Sequence, residues 1–156
     1  MVSITLPDNY GNVVAVAVGV IPLLGFVHGN IVNKTRRAAN IPYPHTYATQ
    51  EQCKADPNAE KFNCAQRAHA NFLENMSQTV VSILVAGVKY PTAATLLGIS
   101  WVAFRALFLY GYVYSKKPRG AGRLVGAPFW LVQGALWAIS VFGVGLPMMG
   151  PIWGRE

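Results

Sequence analysis

Polar and apolar positions in this chain segregate in blocks rather than residue by residue. Long apolar runs are divided by shorter polar stretches, and the runs have the length of a membrane crossing, about 20 mostly apolar residues. Four runs predict four spanning helices: Tyr10–Val32, Ala65–Lys89, Thr92–Tyr114 and Leu124–Met149. Pro22 is expected to kink the first. The second opens polar, the third is interrupted by Arg105, and the fourth is rich in Gly, Leu, Val and Trp. Only "KYPT" separates the second run from the third, which predicts a tight hairpin. The connection 33–64, containing "NIPYPHTYATQ", is polar and expected to be irregular. The glycines of the fourth run predict close helix packing. The expected fold class is an all-α integral membrane protein, a four-transmembrane-helix bundle forming a single domain over residues 1–156.

Composition supports the pattern. Of 156 residues, 53% are hydrophobic and 12% charged, where a soluble domain has about 25% charged. Mean hydropathy is +0.31. The net charge of +7 does not indicate nucleic acid, because the basic residues flank apolar runs and form no regular basic and aromatic patch. They report sidedness instead. Lys34, Arg36, Arg37, Lys54, Lys61 and Arg67 surround the first connection, and Lys116, Lys117, Arg119 and Arg123 the third. With four spans those two connections share a side, and the positive-inside rule places them in the cytosol, with both termini opposite. No Lys or Arg precedes the first run, so it is expected to be a retained span rather than a cleaved signal. Cys53 and Cys64 have no metal-binding spacing and are expected to be free thiols. His28, His45 and His69 are scattered, and no metal is expected.

The second run poses a chemical question: it opens with an arginine, an amide and a glutamate. At roughly 100° per residue, Asn71, Glu74 and Gln78 lie within about 40° of Arg67 on one helical stripe, while His69 lies opposite. Lipid satisfies neither a carboxylate nor an amide, so the stripe is expected to face the bundle or a neighbouring subunit. In the third run Arg105, Phe108 and Tyr112 fall near one another, and Arg119 joins them if the helix continues past Pro118. Arg36 and Arg37 lie at the foot of the first run. Together these groups predict a basic, hydrogen-bonding pocket with one acid near the cytosolic interface. Arginines grip carboxylates bidentately, a glutamate suits an ammonium, and tyrosine and amides suit peptide groups. A small zwitterionic peptide fits, and a nearby arginine would stabilise a thiolate. Structural readings stand beside this one: Arg36, Arg37, Lys116 and Lys117 as charge anchors, Arg105 paired with Glu74, Tyr110 and Tyr114 as an interfacial belt, and His28 as a polar contact within the bundle.

The segment "FNCAQRAHANFLE" (62–74) resembles the FNxxQRxHxNxLE pattern of the MAPEG family, membrane-associated proteins of eicosanoid and glutathione metabolism. "YPHTYAT" (43–49), "FRALFLYGY" (104–112) and "KKPRG" (116–120) extend the resemblance in order along the chain. The resemblance implies a homotrimer binding glutathione as co-substrate between subunits on the cytosolic side. By position, Arg67, Asn71, Glu74, Tyr112 and Arg36 would hold glutathione, with His69 approaching from the adjacent subunit and Arg105 nearby. Arg119 would activate the thiol and Arg37 would sit near the second substrate. The implied activity is a glutathione transferase or glutathione-dependent peroxidase. Its acceptor would be a lipophilic electrophile or lipid hydroperoxide drawn from membrane lipids, in the endoplasmic reticulum or the outer mitochondrial membrane. A non-enzymatic lipid-binding or lipid-presenting protein is the alternative on the same scaffold. The chain departs from the resemblance at Asn75, where the leukotriene-forming member of the family has a tyrosine, and at Phe108, where the family has one.

Overall fold

The computed structural model describes residues 5–149, apart from the side chain of Arg119. All regular structure in that range is helical. The elements are α1 (Tyr10–Ala38), α2 (Gln50–Ala55), α3 (Pro57–Gly87), α4 (Pro91–Tyr114), a 3-10 segment (Pro118–Gly126) and α5 (Phe129–Met148). The helix ends are written locally. Thr49 and Gln52 form a reciprocal capping box at the start of α2, the Thr49 hydroxyl accepting from the Gln52 N–H and the Gln52 side chain from the Thr49 N–H. Asp56 caps α3 through the Asn58 N–H, with Pro57 at the first helical position. α1 stops where Asn40 turns left-handed (φ 52°), and the Ile41 and Asn40 N–H groups close back on the Arg36 and Arg37 carbonyls.

Both prolines inside spans follow widened helix. The π-helical stretch Ala15–Val20 precedes Pro22, and Ile139–Gly145 precedes Pro147. A π turn absorbs the hydrogen bond that proline cannot donate. The connection 33–64 is not irregular throughout, as its length and polarity suggested. α1 continues to Ala38, α2 and α3 occupy 50–55 and 57 onward, and only residues 39–49 and Asp56 lack regular structure. The last span begins at Phe129 rather than Leu124, because 118–126 wind into the 3-10 segment.

Among the described residues three helices are long and apolar enough to cross a membrane: α1, α4 and α5, with mean hydropathies of 2.0, 1.6 and 1.7. Large apolar side chains such as Phe26, Leu131 and Phe142 are exposed on them. Such an outer surface requires lipid around it, and the chain is an integral membrane protein. α3, at 31 residues, is longer but is diluted by its polar stripe.

Packing sets the directions. Gly87 of α3 lies against Val13, and Gly98 of α4 against Val16 and Ile83. At the other end Val32, Phe62, Leu109 and Val113 share a cluster. So α1 and α4 run parallel, with α3 antiparallel between their levels. α5 returns beside the hairpin turn: Lys89 Nζ donates to the Gly143 carbonyl, and the Ser140 hydroxyl donates to the Ser82 carbonyl. Of the glycines in the fourth run, Gly126 packs closely against α4 and Gly143 against Tyr90, as expected, whereas Gly134 has open space around it. The core is an aromatic series of Phe72, Trp101, Phe129 and Phe108, with ring centroids 5.6–6.5 Å apart.

Candidate functional site

The stripe on α3 is real as geometry, since one regular helix carries all its members. Arg67 Nη1 donates to Glu74 Oε1 at 2.7 Å, and Asn71 Nδ2 donates to Glu74 Oε2 at 3.3 Å. From α4, Arg105 Nη1 donates to Asn71 Oδ1 at 2.8 Å. Two guanidiniums, one amide and one carboxylate therefore form a continuous network. Arg105 does not pair with Glu74, as charge alone suggested. Glu74 is taken by Arg67, and the Asn71 amide stands between the acid and Arg105.

The two ends of this network differ in environment. The Arg67 and Glu74 side chains are 45% and 53% exposed. Arg105 is fully buried, its guanidinium 4.3 Å from the Phe129 ring centroid and 4.8 Å from that of Phe108. Ring faces supply the electrostatic attraction that water would otherwise provide. Among the described residues Arg105 Nε and Nη2 have no hydrogen-bond partner. A buried charge with spare donors is costly to leave unmatched.

The Asn75 side chain does not join the stripe. It is buried, donates to the Asn71 carbonyl and accepts from Gln78 and Gln133. Gln133, fully buried on α5, in turn accepts from Trp101 Nε1 at 3.1 Å. This amide relay ties α3, α4 and α5 together behind the stripe. Sequence reasoning missed Gln133. The signal was present as a single amide in an otherwise apolar helix. Phe108 likewise serves as wall, edge-on to Phe129 and Tyr112 and under Arg105.

Tyr112 and Arg67 line one cavity of about 360 Å³ with Tyr47, Glu60, Asn63 and Cys64. Arg123 lies over the Tyr112 ring at 5.2 Å, a neighbour that charge counting had treated only as an anchor. Both cysteines are free. Burial, then the Glu60 carboxylate and Cys53, pushes the Cys64 thiol up to about 11. That disfavours the thiolate form at pH 7.

The remaining candidates lie elsewhere. Arg36 is buried, donates to the His45 carbonyl at 2.6 Å and stacks on Tyr43 and Phe62. It holds the 39–49 connection in place. Arg37 is exposed and lines a groove with Asn40 and Pro42, away from the cavity of Arg67 and Tyr112. His69 lies on the opposite side of α3, its ring centroid 5.8 Å from that of His28. His28 is buried and stacks on Phe72, and among the described residues neither of its ring nitrogens has a hydrogen-bond partner. It is a ring contact rather than the polar one expected.

Arg119 does not extend the α4 stripe. α4 ends at Tyr114, Ser115 is extended, and the 3-10 segment doubles back along the helix. Gly122 meets the Gly111 backbone, Gly126 meets Phe104 and Phe108, and Gly120 (φ 62°) lies over the Tyr112 ring. The reversal returns the backbone next to Arg119 toward Tyr112 by a different route. The Arg119 side chain itself is outside the described part of the structure.

Compared with models of known protein families, residues 14–142 match the one described as the MAPEG family.

Proposed function

The chain belongs to the MAPEG family, and from that premise we propose that it is a membrane-bound glutathione transferase or glutathione-dependent peroxidase. Its acceptors are lipophilic electrophiles or lipid hydroperoxides that partition into the bilayer. Within the family the pattern of residues 62–74 resembles that of microsomal glutathione S-transferase 3. The observation that carries the reading is the Arg67–Glu74–Asn71–Arg105 network, an acid beside two guanidiniums and an amide. Glu74 suits the ammonium of glutathione, the guanidiniums suit its carboxylates, and the spare Arg105 donors suit an anion reaching inward. Tyr112 supplies a hydroxyl on the same cavity. Cys64, its thiolate form disfavoured, leaves the reactive thiol to the substrate. α3 completes four spans, since it connects two parallel crossings end to end. Three subunits meet around the stripe, His69 reaches the site from the neighbour, and the basic connections face the cytosol of the endoplasmic reticulum or mitochondrial surface.

In the transferase reaction the glutathione thiol loses its proton, and the thiolate sulfur forms a bond to the electrophilic carbon. The electron pair displaced there leaves with the leaving group or is protonated. Arg119 stabilises the thiolate, and Arg37 faces the acceptor. Both act as fixed positive charge in a medium where such charge is stronger than in water.

The test is glutathione binding by purified, detergent-solubilised protein, followed by thiolate absorbance near ~240 nm at neutral pH, where the free thiol is mostly protonated. Wild type is expected to bind and to show the thiolate band. Arg67→Ala and Glu74→Gln are expected to lose about 2–5 kcal/mol of affinity, the effect of breaking a charge pair buried under a ligand. Their fold stability should change by less than about 1 kcal/mol, because the pair is half exposed in the free chain. Unchanged affinity in folded variants would overturn the site. Binding without a thiolate band or turnover would favour lipid presentation over catalysis.

A further inference from the structure

We propose that the basic end of the bundle carries a separate anion site, formed by Lys34 and Lys61, that takes the phosphate of an anionic phospholipid headgroup. A cavity of about 110 Å³ is lined there by Lys34, Thr35, Ala38, Asn58, Lys61 and Tyr114. Three helices build it: the last turns of α1, the first turn of α3 and the final residue of α4. None of Arg67, Asn71, Glu74 and Arg105 lines it, so it is distinct from the network above and independent of the activity proposed for it.

The charge in this cavity is one-sided. Lys61 Nζ lies 4.8 Å over the Tyr114 ring, and among the described residues the only ion pair is that of Arg67 and Glu74. Asp56 is engaged in capping α3, and Glu60 does not line this cavity but the neighbouring groove, which it shares with Lys61. Two like charges held around one small cavity repel, and an anion between them removes that cost. The Asn58 side chain adds a polar group to the same rim.

The position in the fold selects a lipid. Tyr114 ends a spanning helix, and Lys34 lies near the end of another, so the cavity is at the level where hydrocarbon gives way to headgroups. Basic pockets between helices at this level bind anionic headgroups. From Tyr114 a line of exposed positions, Tyr110, Leu107 and Ala103, descends one face of α4 toward the hydrocarbon. Spacings of four, three and four residues keep them on one helical face. A headgroup phosphate seated at the lysines would lay its acyl chains along that strip. A free phosphate would use the lysines alone.

The site is tested on the purified full chain in detergent, by its thermal unfolding midpoint against added ligand. The probes are short-chain phosphatidylglycerol, short-chain phosphatidylcholine and inorganic phosphate. Phosphatidylglycerol should raise the midpoint saturably, and phosphatidylcholine should do so less. Lys34→Gln/Lys61→Gln should need about thirtyfold more phosphatidylglycerol, each lysine near an anionic surface being worth roughly fivefold. The single variants, both at exposed positions, should each show part of that loss and carry the same test if the double variant does not fold. Lys116→Gln/Lys117→Gln, outside the cavity, should behave as wild type. Inorganic phosphate matching phosphatidylglycerol, with the same lysine dependence, would support the anion site with free phosphate as its source. No saturable effect, an effect unchanged in the Lys34 and Lys61 variants, or one lost equally in the Lys116 and Lys117 variant would overturn it.

Discussion

At the scale of single residues, the determining fact is that identical side chains do different work according to what surrounds them. Arg36 and Arg105 are both buried arginines stacked on aromatic rings. Arg36 spends a donor on the His45 carbonyl and fastens a connection, while Arg105 meets the Asn71 amide and keeps two donors unspent. The proposed function gives the two spare donors of Arg105 to a ligand, whereas Arg36, with only Nε left without a partner among the described residues, is a strut in the free chain. On the proposed function Arg119 and Arg37 are the two candidates for activating the thiol, and kinetics separates them. If Arg119 stabilises the thiolate, Arg119→Ala removes a cation that favours the charged form. The bound thiol pKa then rises toward the free value of about 8.5. Turnover near neutrality should fall more than affinity, and the pH–rate profile should move to higher pH. One unit of that shift corresponds to about 1.4 kcal/mol. Arg119→Lys should recover part of the rate. Wild-type turnover in Arg119→Ala, together with loss in Arg37→Ala, would pass the role to the first helix.

At the scale of elements, two devices hold the site's walls in register. The first is the amide relay from Asn75 through Gln133 to Trp101, which joins three helices in an apolar interior. Gln133→Leu leaves the Trp101 N–H without its acceptor, whereas Asn75 keeps the hydrogen bond from Gln78. A cost of about 1–3 kcal/mol in unfolding free energy is expected from one unsatisfied buried group. A denaturant titration that leaves stability unchanged would mean the helices repack. The second device is the 3-10 segment folded back on α4. A Cβ at Gly122 would strike the Gly111 backbone, and backbone cannot swing aside as a side chain can. Gly122→Ala should therefore destabilise by about 1–3 kcal/mol or detach the segment. Gly134→Ala, in open space, should cost nothing measurable by the same assay. Proteolysis within 116–126 that rises in Gly122→Ala and not in Gly134→Ala would report the detachment directly.

At the scale of the whole molecule, the charge distribution and the packing directions agree on one arrangement. α1 and α4 run parallel, α3 and α5 oppose them, and the basic connections collect at one end. A protease site inserted near Asp56 should be cut from the cytosolic side of sealed microsomes. Tags at Met1 and Glu156, outside the described residues, should be protected. The reverse pattern would overturn the sidedness. Much of this was legible in the chain as written. Apolar block length is dictated by membrane thickness, so the three spans α1, α4 and α5 could be read before any fold. The stripe of Arg67, Asn71 and Glu74 could be read as well, because helical periodicity is a local property that tertiary contacts leave intact. Tertiary structure alone decided which partners those groups take. Coulomb attraction would have paired Arg105 with Glu74, but the height of α4 against α3 put Asn71 in reach instead. Helical continuation would have carried Arg119 down the line of Tyr112, but Pro118 and the small surfaces of Gly111 and Gly122 turned the chain back. Gln133 gained its place only because α5 packs behind the stripe. Periodicity is set by the backbone of one helix, whereas partner choice depends on distances between helices, which no single segment encodes.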